Sequence, residues 1–239
     1  IIKGKNLGVI NISKIDQLSP FTKGDLDLFS IIAGQLTVSL ENNKLYEEIR
    51  ENYFKTISAL AAAIEAKDPY TKGHSAQVAK YAIAIAGEMG LSKEKIEEMH
   101  IAGILHDVGK IGIKEQVLYK PGKLTNKEYN IMKEHPLHGE RILQPIGFSE
   151  EITKSIRHHH ERYDGKGYPD GLKGEEIFLG ARILCVADTI EAMTSKRYYR
   201  DVLSITRVIK ELRKFSKTQF DPSIAEVALR LIEKKTIPV

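Results

Sequence analysis

From Asp25 to about Ala66 the chain contains nothing that breaks a helix: it has no proline, and Gly34 is its one glycine. Leu45, Ile49, Tyr53, Ile57, Leu60 and Ile64 recur at threes and fours, the period of one helical face. A continuous helix of ~42 residues would run ~63 Å, more than one small domain needs. Two readings compete. Either two helices meet at a bend near Glu41-Asn42-Asn43, or one signalling helix pairs with its copy in a dimer; the second is preferred. Upstream, Gly4-Lys5-Asn6 signals a turn and Leu7-Gly8-Val9-Ile10-Asn11-Ile12 has the apolar bias of a strand, so residues 1 to about 15 predict strand, turn, strand. Two strands alone are marginal in water, so this stretch reads as the tail of a sheet domain.

Downstream, the pattern is helical and punctuated by caps. Asp68-Pro69 pairs an N-cap with a first-turn proline and predicts a helix to Met89, ended by Gly90. Ser92 opens a helix that carries Ile96, Met99, Ile104 and Leu105 and ends at His106-Asp107. Thr125-Asn126-Lys127-Glu128 is a capping box. Ser149 precedes Glu150-Glu151, which complement the helix dipole, and that helix runs into His158-His159-His160. Another, from about Leu179, holds Asp188, and Ser204 and Asp221-Pro222 start the last two. The expected fold class is mainly α, an all-helical domain preceded by a short β-hairpin and a long connecting helix.

Bulk properties narrow the field. A chain of 239 residues can hold one large domain, or one domain plus a fragment. Hydrophobic content of 42% and charged content of 28% are those of an ordinary globular protein. The net charge of +4 does not imply a DNA or RNA surface, yet it leaves room for a small anionic ligand. Cys185, the single cysteine, lies in the apolar run Ile183-Leu184-Cys185-Val186-Ala187 and reads as a buried, inert thiol. No apolar run approaches the ~18 residues of a membrane span and no signal-peptide pattern appears, so a cytoplasmic location is expected. The chain opens Ile1-Ile2-Lys3-Gly4-Lys5 without an initiator methionine and reads as a fragment of a longer protein.

The chemistry concentrates in His158-His159-His160-Glu161-Arg162-Tyr163-Asp164-Gly165-Lys166-Gly167-Tyr168-Pro169. Adjacent imidazoles opening into a glycine-rich charged loop suggest metal ligands beside a substrate-contacting rim. More donors stand elsewhere: His74, His106-Asp107 before Val108-Gly109-Lys110, His135 and Asp188. One histidine alone is most simply a satisfied core residue; five histidines and two aspartates at helix ends and loop starts outweigh that reading. This donor mixture suits Fe, Mn, Zn or Ni better than an all-oxygen Mg or Ca cage. Asp107 has two oxygens and can bridge two metals while His106 binds one. His158 reads as a helix-surface or supporting residue, His138 as structural and His100 as a boundary residue. For Asp164 and Lys166 a turn explanation competes with substrate contact.

His106-Asp107-Val108-Gly109-Lys110, then His135-Pro136, then the long string from His159 to Pro169 resemble the HD-GYP branch of the HD phosphohydrolases, from about Thr56 to Lys234. The resemblance implies a bacterial phosphodiesterase that hydrolyses cyclic di-GMP at a cluster of two or three metals, often iron or manganese. It implies His74, His106, Asp107, His135, His159, His160 and Asp188 as ligands, with Asp107 as the bridge. Lys110 would face a phosphate oxygen, Gly167-Tyr168-Pro169 would shape the substrate loop, and Arg197 and Arg200 would contact phosphates, with Tyr198 where the family has proline. Some members carry a glutamate four residues before the first histidine, which ligates a third metal. Tyr70 stands there, so two metals are expected, and a third would need water or another carboxylate.

A hydroxide bridging the metals would attack phosphorus in line with the departing 3′ oxygen, giving pGpG or, after a second cut, GMP. No residue stands out as the acid for the leaving group. Two alternatives remain: a degenerate HD-GYP module that binds without turnover, and a phosphodiesterase for another cyclic dinucleotide. The resemblance further implies a homodimer through the connecting helix and a GGDEF-type or other signalling partner at the GYP loop. Finally, the stretch from Gly4 to Ile12, followed by Phe21-Thr22-Lys23-Gly24-Asp25-Leu26-Asp27-Leu28, resembles the C-terminal segment of a GAF sensory domain. The expected boundaries are 1–45 for the GAF-like part, 46–66 for the connecting helix and 67–239 for the hydrolase domain.

Overall fold

The computed structural model describes residues 8–13, 20–67, 73–195 and 203–237. The chain divides into two compact units, Ile1–Thr56 and Ile57–Val239. In the first, residues 8–13 form no strand. This corrects the hairpin expectation as far as the described residues reach, and Val9 is 86% exposed. The physical reason is that a strand needs neighbours: an apolar run without a sheet to join gains no ladder hydrogen bonds.

Helix α1, Lys23–Lys67, is unbroken through Glu41-Asn42-Asn43, which removes the two-helix alternative. Its start is fixed locally. Thr22 Oγ1 accepts from the Asp25 N–H at 3.2 Å, and Asp25 Oδ2 accepts from the Thr22 N–H at 2.7 Å. Along its exposed length Lys44–Glu48 and Glu51–Lys55 pair one turn apart, at 3.8 and 3.3 Å.

The described residues of the second unit form helices joined by turns and loops, with one isolated β-bridge, Ser216 to Phe220. The unit continues from the end of α1 into α2 (His74–Glu88), α3 (Lys93–Leu105), α4 (Glu115–Leu118), α5 (Asn126–Met132) and α6 (His135–Leu143). The helices α7 (Glu150–His158), α8 (Leu179–Thr194), α9 (Ile205–Phe215) and α10 (Pro222–Glu233) complete it. Its core is built by α2, α3, α7, α8 and α10. Val78, Ala82 and Ile85 of α2, Ile183, Leu184 and Ile190 of α8, and Ile224 and Ala228 of α10 are all fully buried. Each large aliphatic side chain so buried contributes about 1.5–3 kcal/mol. A smaller cluster of Ile113, Val117 and Leu118, packed by Leu124, Ile131 and Met132, seats α4 and α5.

The expected start of α2 at Asp68-Pro69 is corrected: those two residues lie outside the described ones, and the helix begins at His74. Gly73 has φ +79°, a left-handed conformation that no helix can pass through. The cap comes from a distance. The carboxylate of Glu65 accepts from the N–H groups of Gly73 (2.7 Å) and Ser75 (2.9 Å), satisfying the free donors of the first turn. His74 is thereby held at the first position of the helix.

Candidate metal centre

Each candidate ligand is delivered by a helix end or by a helix lining the core. His74 opens α2, and His106 closes α3, with Asp107 following it into a short 3₁₀ turn, Val108–Gly112. His135 opens α6, His159 and His160 follow the end of α7, and Asp188 lies on α8. Gly109 makes the meeting of these segments feasible. A Cβ there would lie 1.8 Å from the His135 carbonyl oxygen and 2.4 Å from the Gly139 nitrogen, so only glycine lets the two backbones approach.

The structure brings all seven together. Asp107 Oδ2 lies 3.4 Å from His106 Nε2 and 3.7 Å from His74 Nε2, whereas Asp107 Oδ1 lies 3.3 Å from His135 Nε2. Its two oxygens thus face two donor groups. Asp107, His135, His159 and His160 offer ligand atoms within 4.8 Å of one another, and so do His74, His106 and Asp107. Asp188 Oδ1 is 3.4 Å from His74 Nε2. Lys110 Nζ reaches Asp107 Oδ2 at 2.7 Å.

The hydrogen bonds around the rings decide what the inward nitrogens are. His106, His135 and His159 each place Nδ1 within 2.8 Å of a backbone carbonyl, those of Gly103, Met132 and Ile156. A carbonyl can only accept, so Nδ1 carries the proton and Nε2 presents a lone pair. His74 Nδ1 donates likewise to Glu191 Oε2 at 2.5 Å. The inward nitrogens then confront each other: His135 and His159 Nε2 are 3.4 Å apart, and His74 and His106 Nε2 are 3.2 Å apart. Buried lone pairs facing lone pairs lack the electrophile between them that would make the contact favourable. Between His135 and His159, protonation is a poor remedy. Burial first, and the neighbouring imidazoles second, hold the His159 pKa well below 6.5 and push that of His160 down to about 3. Burial also lowers that of His106. The donor set fits divalent cations.

The carboxylates stay ionised despite burial. Desolvation works against Asp107, but Lys110, His106 and His135 hold its pKa well below the ordinary carboxylate value. Desolvation is likewise outweighed at Asp188, by His74, His106 and His160. For His74, burial disfavours the charge, yet the hydrogen bond to Glu191 and the charges of Asp188 and Asp107 raise its pKa.

The loop after α7 covers one side of the cluster. The Tyr168 ring lies 4.9 Å from that of His160, tilted by 31°, and the Tyr168-Pro169 bond is cis. A Cβ on Gly167 would lie 2.3 Å from the Arg162 nitrogen and 2.5 Å from the Glu161 Cα, so glycine is required for the loop to fold back. Asp164 takes its turn role: it pairs with Arg162 at 2.8 Å and accepts from the Lys166 N–H at 3.1 Å. Cys185 is buried, and burial pushes its thiol up to about 12, so it stays protonated. Tyr70, Arg197 and Arg200 lie outside the described residues.

Of the two readings for His158, helix surface or supporting residue, the structure has the second. His158 is 4% exposed, and its Nε2 meets Asp170 Oδ2 at 2.8 Å. Arg157 grips the same carboxylate through two bonds of 2.7 and 2.8 Å. Glu161, also buried, accepts from the Asp170 and Gly171 N–H groups at 2.7 and 2.9 Å. These residues pin the far end of the loop, and the sequence reading passed over Asp170, Glu161 and Glu191. Glu191 had one signal: it stands three residues after Asp188, on the same face of α8.

Known proteins resemble much of the chain. The HD domain family matches residues 58–224. The cyclic di-GMP phosphodiesterase response regulator RpfG of Xanthomonas campestris is 40% identical over 200 residues, 82% of this chain and 53% of that protein. The 3'3'-cGAMP-specific phosphodiesterase 2 of Vibrio cholerae is 33% identical over 210 residues, 86% of this chain and 40% of that protein. The chain therefore spans about half the length of the curated relatives it matches, or less. The crystal structure of a cyclic GMP-AMP-specific phosphodiesterase of V. cholerae, V-cGAP3, is similar with a TM-score of 0.60 at 19% identity. It covers 76% of this chain and 49% of that one, a likeness of fold alone.

Proposed function

Because the chain belongs to the HD-domain family, we propose that it is a metal-dependent phosphodiesterase that hydrolyses cyclic di-GMP to pGpG or GMP. One observation carries the proposal: five imidazoles and two carboxylates converge, and His106, His135 and His159 each turn an Nε2 lone pair inward. His74, His106 and Asp107 would hold one ion, and Asp107, His135, His159 and His160 another, with Asp188 beside His74. Iron or manganese suits these donors. Tyr70 supplies no carboxylate, which favours two ions over three. When bound, divalent cations supply Lewis acidity that neutralises phosphate charge and acidifies water.

The chain's own residues do the rest. Asp107 spans the two donor groups with one oxygen each. Lys110, 2.7 Å from Asp107, is placed to neutralise a non-bridging phosphate oxygen, where a compact ammonium serves well. Tyr168 closes the cluster on the His160 side and limits water there. Arg197 and Arg200 would hold phosphate oxygens, a role supported by their place in the family pattern.

The test is turnover by protein purified without oxygen and assayed for metal, with nucleotide products resolved by chromatography. Cyclic di-GMP should give pGpG or GMP, and Asp107→Ala should lose metal and turnover together. A variant that keeps its activity would refute the assignment. A second reading rests on the cGAMP-specific relatives: another cyclic dinucleotide is the substrate, seen as a higher kcat/KM for cGAMP in the same assay. Full metal occupancy and nucleotide binding without any product would mark a module that binds but does not cleave.

We further propose a GAF-like part over 1–45, joined through 46–66 to a hydrolase domain over 67–239. Self-association through α1 is supported by Ile31, Val38 and Leu45, which recur every seven residues and are 64%, 52% and 48% exposed.

A further inference from the structure

Resting on that reading, we propose that Tyr129, Lys133 and Tyr168 form a subsite for a purine and its phosphate beside the metal centre. The three side chains come from two segments, and none belongs to the ligand set. Tyr129 lies on α5 and is 46% exposed. Lys133 follows the end of the same helix, with Nζ 4.7 Å from the Tyr129 ring centroid and 5.6 Å from that of Tyr168. The two rings stand 6.5 Å apart at 79°. Tyr168 in turn lies against His160, whose ring is 5.0 Å from that of His135. An aromatic surface thus leads from the ligand cluster outwards to Tyr129, with one ammonium over it.

Lys133 is unneutralised. Among the described residues no carboxylate lies within ion-pair distance of it, whereas Lys110, Lys120 and Lys154 all have such partners. Ring faces hold a cation only weakly at an exposed site, so its charge remains available to an anion. The platform beneath is firm. Glu128 and Thr125 cap α5 reciprocally, Lys120 Nζ reaches Glu128 at 2.6 Å, and Ile131 and Met132 pack on Ile113, Val117 and Leu118. The Tyr168 side is fixed by the Arg157–Asp170 and Glu161 contacts. A cation and an exposed aromatic ring, both held rigidly beside a phosphodiester site, complement a ligand that joins an anion to a planar base. A nucleotide has that chemistry; an aryl diester or inorganic phosphate has only part of it.

The experiment uses manganese-loaded protein, with GMP as the calorimetric probe and two substrates, cyclic di-GMP and the purine-free diester bis(p-nitrophenyl) phosphate. Tyr129→Ala and Lys133→Met should each weaken GMP about tenfold, the scale of losing one base stack or one phosphate contact. They should lower the kcat/KM preference for cyclic di-GMP over the aryl diester by a similar factor. Tyr129→Phe keeps the ring and should retain GMP affinity, which separates stacking from damage to the fold. GMP affinity within twofold of the parent in both Tyr129→Ala and Lys133→Met would overturn the subsite, as would a parent protein that does not bind GMP. A parent that binds GMP, with the expected loss in the variants, but cleaves neither diester would sink the hydrolase reading and leave the subsite standing.

Discussion

Replacing Glu191 by glutamine tests whether the centre is held by its surroundings as well as by its ligands. Glu191 is 4% exposed, donates no ligand atom to either donor group, and accepts from His74 Nδ1 at 2.5 Å while Ser195 donates to its other oxygen. Glutamine keeps the volume and an oxygen acceptor for Nδ1, so the ring can stay in place. What it removes is one negative charge across the imidazole. With the carboxylate roughly 5 Å from the far ring nitrogen, Coulomb's law at an effective dielectric of 20 gives about 3 kcal/mol. The retained amide dipole returns part of this, and outer-shell partners of metal-bound histidines are typically worth 10–100-fold in affinity. The expected loss is therefore about 2 kcal/mol, roughly thirtyfold in the metal dissociation constant at 1.36 kcal/mol per decade.

The assay is titration of metal-stripped protein with Mn²⁺ against a competing chelator, for the parent and Glu191→Gln side by side. Circular dichroism should be the same for both proteins, because the exchange is isosteric. Parent-like affinity in Glu191→Gln would refute the argument that this carboxylate tunes His74. A parent that binds no divalent ion at all would refute the centre.

Two further substitutions probe the scaffold. Asp221 caps α10 through the Ser223 N–H at 2.8 Å and is paired with Arg182 at 2.5 Å, so Asp221→Ala loses a cap and strands a cation. The cost should be about 3 kcal/mol at pH 7 in denaturant unfolding, and a loss under 1 kcal/mol would contradict the pairing. Burial opposes the Asp221 charge, but Ser223 and Arg182 outweigh it and lower its pKa. The stabilisation is thus complete above the unfolded value of about 3.9 and fades as pH falls through the depressed folded one, so parent and variant should begin to converge below about pH 4 and differ least below the folded value. Gly109→Ala should cost about 3 kcal/mol or more, because its Cβ would meet backbone at 1.8 Å and force His135 away. Gly34→Ala, with nothing within 4 Å, should instead stabilise α1 by about 0.5–1 kcal/mol; equal unfolding midpoints for the two would undo the packing argument.

Features set by two or three neighbouring residues were legible in the sequence. The Thr125–Glu128 box and the caps at Ser92, Ser149 and Asp221 appear where the residue pattern puts them, because a side-chain oxygen reaches only the nearest free N–H groups. The seven converging donors were legible because their string resembles a family pattern, not because spacing alone would place His74 against Asp188. What depended on distant contacts was lost. The start of α2 is set by Glu65, which reads in sequence as one more polar residue of a long helix. The N-terminal run looked like a strand because apolar bias says nothing about whether a neighbouring strand exists. Glu191 and Asp170 went unremarked in the sequence, because their partners His74 and His158 meet them only in the folded chain.

The charge of the centre adds a reason to expect two cations. Asp107, Asp188 and Glu191 face the cluster of imidazoles, and Lys110 is the cation paired with Asp107. With the imidazoles neutral, three carboxylates against one ammonium leave a formal −2. A buried net negative charge repels a phosphodiester and is costly by itself. One divalent ion would bring the site to neutrality and give no attraction for the anion. Two would make it +2, enough to bind a singly charged phosphodiester and to neutralise charge as the bond breaks. A third would leave +4, with no further carboxylate among these residues to offset it. The charge balance and the two oxygens of Asp107, each facing its own donor group, both support the proposal of two ions.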